Sequence, residues 1–186
     1  MRVLFAASEC RPFASSGGLA DVLEALPIAV QGRGVPSARV MPLYRRIRDA
    51  HAETMRPTGS AFDVPMGDEF WPCEIFALER DGLTTYLVSR EELYDRSELY
   101  GLATRPYGDN LERFLFFQKA VVLLLDQFHG ADHFTHVHLN DWQTGLVPLY
   151  LHFGADGKGR VVRETSVFTI HNLAYQGVFP AAKFRL

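Results

Sequence analysis

A chain of 186 residues that is 47% hydrophobic and 22% charged has the composition of an ordinary globular domain and the length to bury a sizeable core. A net charge of −3 leaves no broad basic surface to bind nucleic acid. The longest aliphatic run, Ala120 to Leu125, is far too short to span a bilayer, and "MRVLFAAS" enters an apolar strand with no room for a secretion signal, so Cys10 and Cys73 are expected to be reduced thiols in a cytoplasmic protein.

Val3 to Ala7 is a continuous apolar run, as in a strand buried on both faces. The stretch "SSGGLADV" (15–22) follows it. Leu19, Val22, Leu23, Leu26 and Val30 then recur at helical spacing, and "GRG" (32–34) closes that helix. Pro27 inside it is expected to kink it or loosen one turn. "ARVMPLY" (38–44) is a second strand, so the first 44 residues predict a βαβ unit with a parallel pair. "AFDVPM", "WPCEIFAL" and "TTYLVSR" are separated only by "GDEF" and "ERDG". Strands so closely spaced predict antiparallel hairpins over 61–89, either inserted into the fold or at an edge of the sheet.

Asp109 followed by Glu112 matches a capping box. From Leu111 to Phe128 apolar residues cover most of the surface, predicting a deeply packed helix. "HVHLND" (136–141) reads as a strand, 144–153 as a helix containing Pro148, and "TSVFTIHN" (165–172) as another strand. The predicted class is α/β: a Rossmann-like parallel sheet with helices on both faces and a β-hairpin insertion. There is no internal repeat, and the closing "AAKFRL" shows no sign of a domain finishing.

In an open α/β sheet, ligands bind beyond the carboxyl ends of the strands. The unusual residues collect there. Glu9 and the glycine loop follow the first strand, "NDW" follows the 136 strand, and "HNLAYQG" follows the 165 strand. Gly17 and Gly18 read either as loop punctuation or as backbone that approaches an anion at a helix start. Asp21, in the first helical turn, is either a dipole-favoured surface acid or a site residue. Asp141 is either a helix N-cap with Trp142 in the core, or part of the site. His171, with Asn172 after it, ends a buried strand and is expected to face the crevice. His136, His138, His171 and Asp141 invite a metal, but no Glu or Cys completes a recognisable zinc spacing, so no metal is expected. His138 reads as a packed strand histidine, and His129, His133 and His152 as helix-end or surface residues.

Four stretches, "ASECRPFASSGGLADVLEALP", "YDRSELYG" with "YGDNLERFLFFQKA", "HLNDWQTGLVPLYL" and "FTIHNLAYQGVF", resemble in order the amino-terminal part of bacterial glycogen synthases and plant starch synthases, glycosyltransferase family 5. The resemblance implies a two-lobed (GT-B) enzyme that transfers glucose from ADP-glucose to the 4-hydroxyl of an α-1,4-glucan with retention and no cofactor. Residues 1–186 would be an incomplete first lobe, with the nucleotide-binding second lobe missing. It implies that Ser15, Ser16, Gly17, Gly18 and Asn172 bind the donor, that Asp141 and His171 are catalytic, and that Glu9, Asp21, Trp142 and one of Tyr94 or Tyr100 line the cleft. The family loop has lysine where this chain has Ser15. A missing charge-assisted contact is worth about 1.5–3 kcal/mol, so a loss of about 10- to 100-fold is expected. The isolated chain is expected to be inactive and to self-associate through an unfinished edge. The alternatives are a non-catalytic glucan-binding or regulatory relative, and, more weakly, a metal-dependent hydrolase.

Overall fold

The computed structural model describes residues 1–102 and 105–183; of the closing "AAKFRL", residues 184–186 lie outside the described residues. β1 (Val3–Ala6) leads through the glycine loop into α1 (Leu19–Gln31) and then β2 (Ser37–Pro42). β1 and β2 pair parallel from Val3↔Ser37 to Ala6↔Val40, the βαβ unit that two apolar runs around an amphipathic helix predict. All six residues of β2 are buried, which requires cover on both faces of the sheet. α1 buries Leu19, Ala20, Leu23 and Pro27 and runs unbroken through the proline. α2 (Arg45–His51) was not foreseen: Ile47 is its one buried residue, so it shows no apolar period.

β3 (Arg56–Met66), β4 (Glu69–Arg80) and β5 (Leu83–Ser89) form the expected antiparallel meander. Asp81 and Gly82 connect the last two with φ of 54° and 72°, the double positive φ of a type I′ turn. β5 also pairs parallel with β2, from Ala38↔Thr84 to Pro42↔Val88. Of the two alternatives, the meander is therefore the edge of the main sheet.

A short helix, α3 (Glu91–Tyr94), and a small ladder of β6 (Gly101–Leu102) with β7 (Arg105–Pro106) precede α4 (Asn110–Leu125). The capping box is not formed. Asp109 makes no cap bond; it accepts from Arg96 Nη1 at 2.9 Å, while Glu112 accepts from Lys183 Nζ at 2.8 Å. Charged partners outcompete the backbone amides for both carboxylates. α4 is enclosed on nearly every side, with Phe114, Phe116 and Phe117 fully inaccessible. Each such ring contributes about 1.5–3 kcal/mol by leaving water.

β8 (His136–Asn140), α5 (Val147–Phe153) and β9 (Thr165–Thr169) complete the main sheet and its helices, and a 3-10 turn at Ala181–Lys183 follows. Pro148 falls in the first turn of α5, where its missing N–H is harmless. β8 lies parallel between β1 and β9, giving the order β3-β4-β5-β2-β1-β8-β9. The chain first builds away from β1 through β2, then returns to add β8 on the other side. The switch point between β1 and β8 is where this kind of sheet opens a crevice.

Candidate functional site

Glu9 leaves β1 at that switch point and is buried. Its carboxylate accepts hydrogen bonds from the Ser16 N–H, from Ser16 Oγ at 2.7 Å, from the Gly17 N–H at 3.2 Å and from the Tyr100 hydroxyl at 2.6 Å. Tyr100 also lies 2.7 Å from Ser8 Oγ. Burial, the neighbouring Tyr44 and the charge of Glu9 hold the Tyr100 phenol well above its ordinary pKa, so it is a neutral donor. Glu9 thus fills the glycine loop as an internal anion. The Gly17 amide, expected to face a diphosphate, is already committed to it. The Gly18 and Leu19 amides have no acceptor among the described residues. A Cβ added at Gly17 or Gly18 would meet nothing within 4 Å, so protein packing does not demand either glycine. Ser15 is half-buried and Ser16 exposed beside them. Asp21 is exposed and pairs with Arg11 at 2.7 Å.

The two tyrosines separate clearly. Tyr94 is wholly buried, donates to the Arg113 carbonyl at 2.8 Å and meets Tyr44 edge-on at 5.9 Å. It is a core residue, which corrects its place among the cleft residues. Tyr100 reaches the loop because α4 holds its segment. Asn110 Nδ2 donates to the Tyr100 carbonyl at 2.8 Å, and Arg113 donates to the carbonyls of Leu93 at 2.7 Å and Leu99 at 2.8 Å. Arg113 is fully buried and pairs with no carboxylate among the described residues. Sequence reading missed it; a cation between apolar residues of a largely apolar helix was the available signal.

Asp141 follows β8 with φ 59° and ψ 178°, a region that belongs almost wholly to glycine. It makes no cap bond, so the N-cap reading gives way. Instead its Oδ1 accepts from the backbone N–H of His171 at 2.7 Å and of Asn172 at 3.4 Å, joining the ends of β8 and β9. Asn140 ties β8 to β1 by donating to the Ala6 carbonyl at 3.1 Å, and its Oδ1 lies 3.0 Å from His171 Nε2. That oxygen can only accept, so Nε2 carries a proton in this contact. His171 itself is exposed. Asn172 is exposed, with its side chain spent on the Ala174 N–H at 3.0 Å.

His136 and His138 share one face of β8, opposite buried Val137. His136 is engaged with Thr135 at 2.9 Å, and His138 with Thr169 at 2.7 Å while its ring packs on Phe5. Burial, then the charge of His171, lowers the His138 pKa. Among the described residues no three His, Cys, Asp or Glu side chains converge as a ligand set. Trp142 stacks between Phe114 at 5.1 Å and Phe179 at 5.5 Å. It lines an apolar groove of about 540 Å³ with Leu146, Phe168 and Leu173. Gly177 closes over it with φ 64°, and a Cβ there would lie 2.5 Å from the indole.

Glu9 with its loop, Asp141 and His171 thus stand at the ends of three adjacent parallel strands. The family model of the starch synthase catalytic domain matches residues 2–186. The chain is 39% identical over 181 residues to a glycogen synthase of Syntrophotalea carbinolica and 43% identical over 180 residues to one of Anaeromyxobacter sp.. These alignments cover 97% and 96% of this chain but 37% and 36% of those proteins, so the chain spans little more than a third of their length. The catalytic domain of starch synthase IV from Arabidopsis thaliana, solved bound to ADP and acarbose, superposes with a TM-score of 0.79 at 25% identity, covering 98% of this chain and 36% of that one. The chain belongs to the starch synthase catalytic domain family.

Proposed function

We propose that these residues form part of the first lobe of a two-lobed glycosyltransferase that moves glucose from ADP-glucose to the 4-hydroxyl of an α-1,4-glucan with retention. The observation that carries the reading is the convergence of the Glu9-organised glycine loop and the Asp141–His171–Asn140 cluster at the switch point of the sheet. In this reading the open side of the loop, at Gly18 and Leu19, receives the donor diphosphate where free N–H groups and the helix dipole favour an anion. Asp141 and His171 line the glucosyl pocket, Asp141 stabilising positive charge as it develops at the anomeric carbon. Glu9 and Tyr100 act one step back, by shaping the loop. The ADP in the related starch synthase structure supports an adenosine diphosphate donor.

Residues 1–186 then make up a partial N-terminal domain, and a second lobe supplies the rest of the donor pocket. Purified 186-residue chain is expected to transfer no glucose to glycogen, whereas the same residues joined to the remainder of the Anaeromyxobacter relative are expected to do so. Inactivity of a folded joined protein would count against the reading. The buried free thiols of Cys10 and Cys73 support a cytoplasmic setting. The exposed apolar residues of β9 and after it, Val167, Phe168, Ile170 and Leu173, support self-association of the isolated chain, which light scattering at increasing concentration would detect.

A further inference from the structure

The glycine loop carries no cation of its own; Glu9 is bonded within it and Asp21 follows in the first turn of α1. A diphosphate at Gly18 adds further negative charge to the same loop. Arg11 is the cation set against this charge. Its backbone N–H donates to the Ala20 carbonyl at 3.1 Å, which fixes residue 11 against the first turn of α1. The paired backbones of Cys10 and Ala14, at 3.0 and 2.9 Å, tie the same segment to the residue before Ser15. Arg11 Nε lies 2.7 Å from Asp21 Oδ1, and the two side chains are 52% and 57% exposed. A pair so exposed holds little energy and yields readily to a stronger partner. The two Nη groups make no hydrogen bond among the described residues, and they form the planar fork that suits phosphate oxygens.

We propose that Arg11 binds the diphosphate of the nucleotide sugar, supplying at the glycine loop the positive charge that Ser15 does not, while Asp21 holds the guanidinium at the first turn of α1. This rests on the reading of the loop as the donor site. The experiment titrates isotope-labelled 186-residue chain with ADP-glucose and follows the Gly17 and Gly18 amide resonances in the wild type, Arg11→Ala, and Arg11→Ala with Ser15→Lys. Both amides are expected to shift in the wild type. Arg11→Ala should weaken binding about tenfold, as loss of a charge-assisted contact does, and added Ser15→Lys should restore most of it. The difference should shrink as salt rises. Unchanged affinity in Arg11→Ala, with both glycines still shifting, overturns the role of Arg11 and leaves the loop reading standing. A double variant as weak as Arg11→Ala overturns the charge argument. Wild-type glycine resonances that stay fixed while other residues shift overturn the loop reading, and the role of Arg11 falls with it.

Discussion

The Tyr100 phenol donates to Glu9 at 2.6 Å across 91 residues of sequence, and the same carboxylate holds the Ser16 and Gly17 amides. The Tyr100 hydroxyl therefore connects the segment after α3 to the loop before α1. Tyr100→Phe removes it with little change of shape. The variant should lose about 1–3 kcal/mol of stability, since a buried carboxylate gives up one of its donors. Hydrogen exchange at Ser16 and Gly17 should quicken more than at α4. Denaturant unfolding and amide exchange check both statements; exchange unchanged at the loop would show that Glu9 holds it without Tyr100.

Asp141 combines a strained backbone with a carboxylate that two amides need. The strain costs on the order of 1–3 kcal/mol and is relieved only by glycine. Asp141→Gly should therefore be more stable than Asp141→Ala by about 1 kcal/mol. In ordinary positions glycine is the weaker residue by about 0.5–1 kcal/mol, so the reversed order is diagnostic. Paired unfolding curves of the two variants decide it.

His138 carries a pH dependence of definite sign. Burial, aided by the charge of His171, lowers its pKa below the ordinary 6.5 in the folded protein. The unfolded ring takes up a proton first, so its contribution is fully present above about pH 6.5 and is lost as pH falls from there through the lowered folded value. His138→Gln keeps a partner for Thr169 and removes the titration. Its stability should fall less steeply than that of wild type between about pH 7 and 5.5, the window below the ordinary histidine value. Parallel curves for the two proteins would assign the acid sensitivity elsewhere.

The parallel core was legible because buried strands read as largely apolar runs, as at Val3–Ala6 and in the fully buried β2, where Ser37 and Arg39 are the exceptions. The place of the site was legible too, since Glu9, Asp141 and His171 all follow strands, although β9, read from the sequence as buried, is exposed from Thr165 to Phe168. Its wiring was not. Glu9 meets Tyr100, and Asn140 meets Ala6, across stretches that no local pattern spans. Tyr94 and Tyr100 sit in one segment and differ only in what surrounds them: one donates inside the core to Arg113, the other to Glu9. The capping box failed for a related reason, because Arg96 and Lys183 arrive from elsewhere in the chain to take its carboxylates.

The central claim is that the cluster around Asp141 is half of a glucan synthase active site. The most direct measurement is incorporation of labelled glucose from ADP-glucose into glycogen by these 186 residues joined to the remainder of the Anaeromyxobacter relative, with and without Asp141→Gly. The joined protein should elongate glycogen with new α-1,4 linkages, and the Asp141→Gly protein, though folded, should lose at least about 100-fold in rate, as removal of one electrostatic transition-state group does. Equal rates in the two folded proteins would contradict the claim.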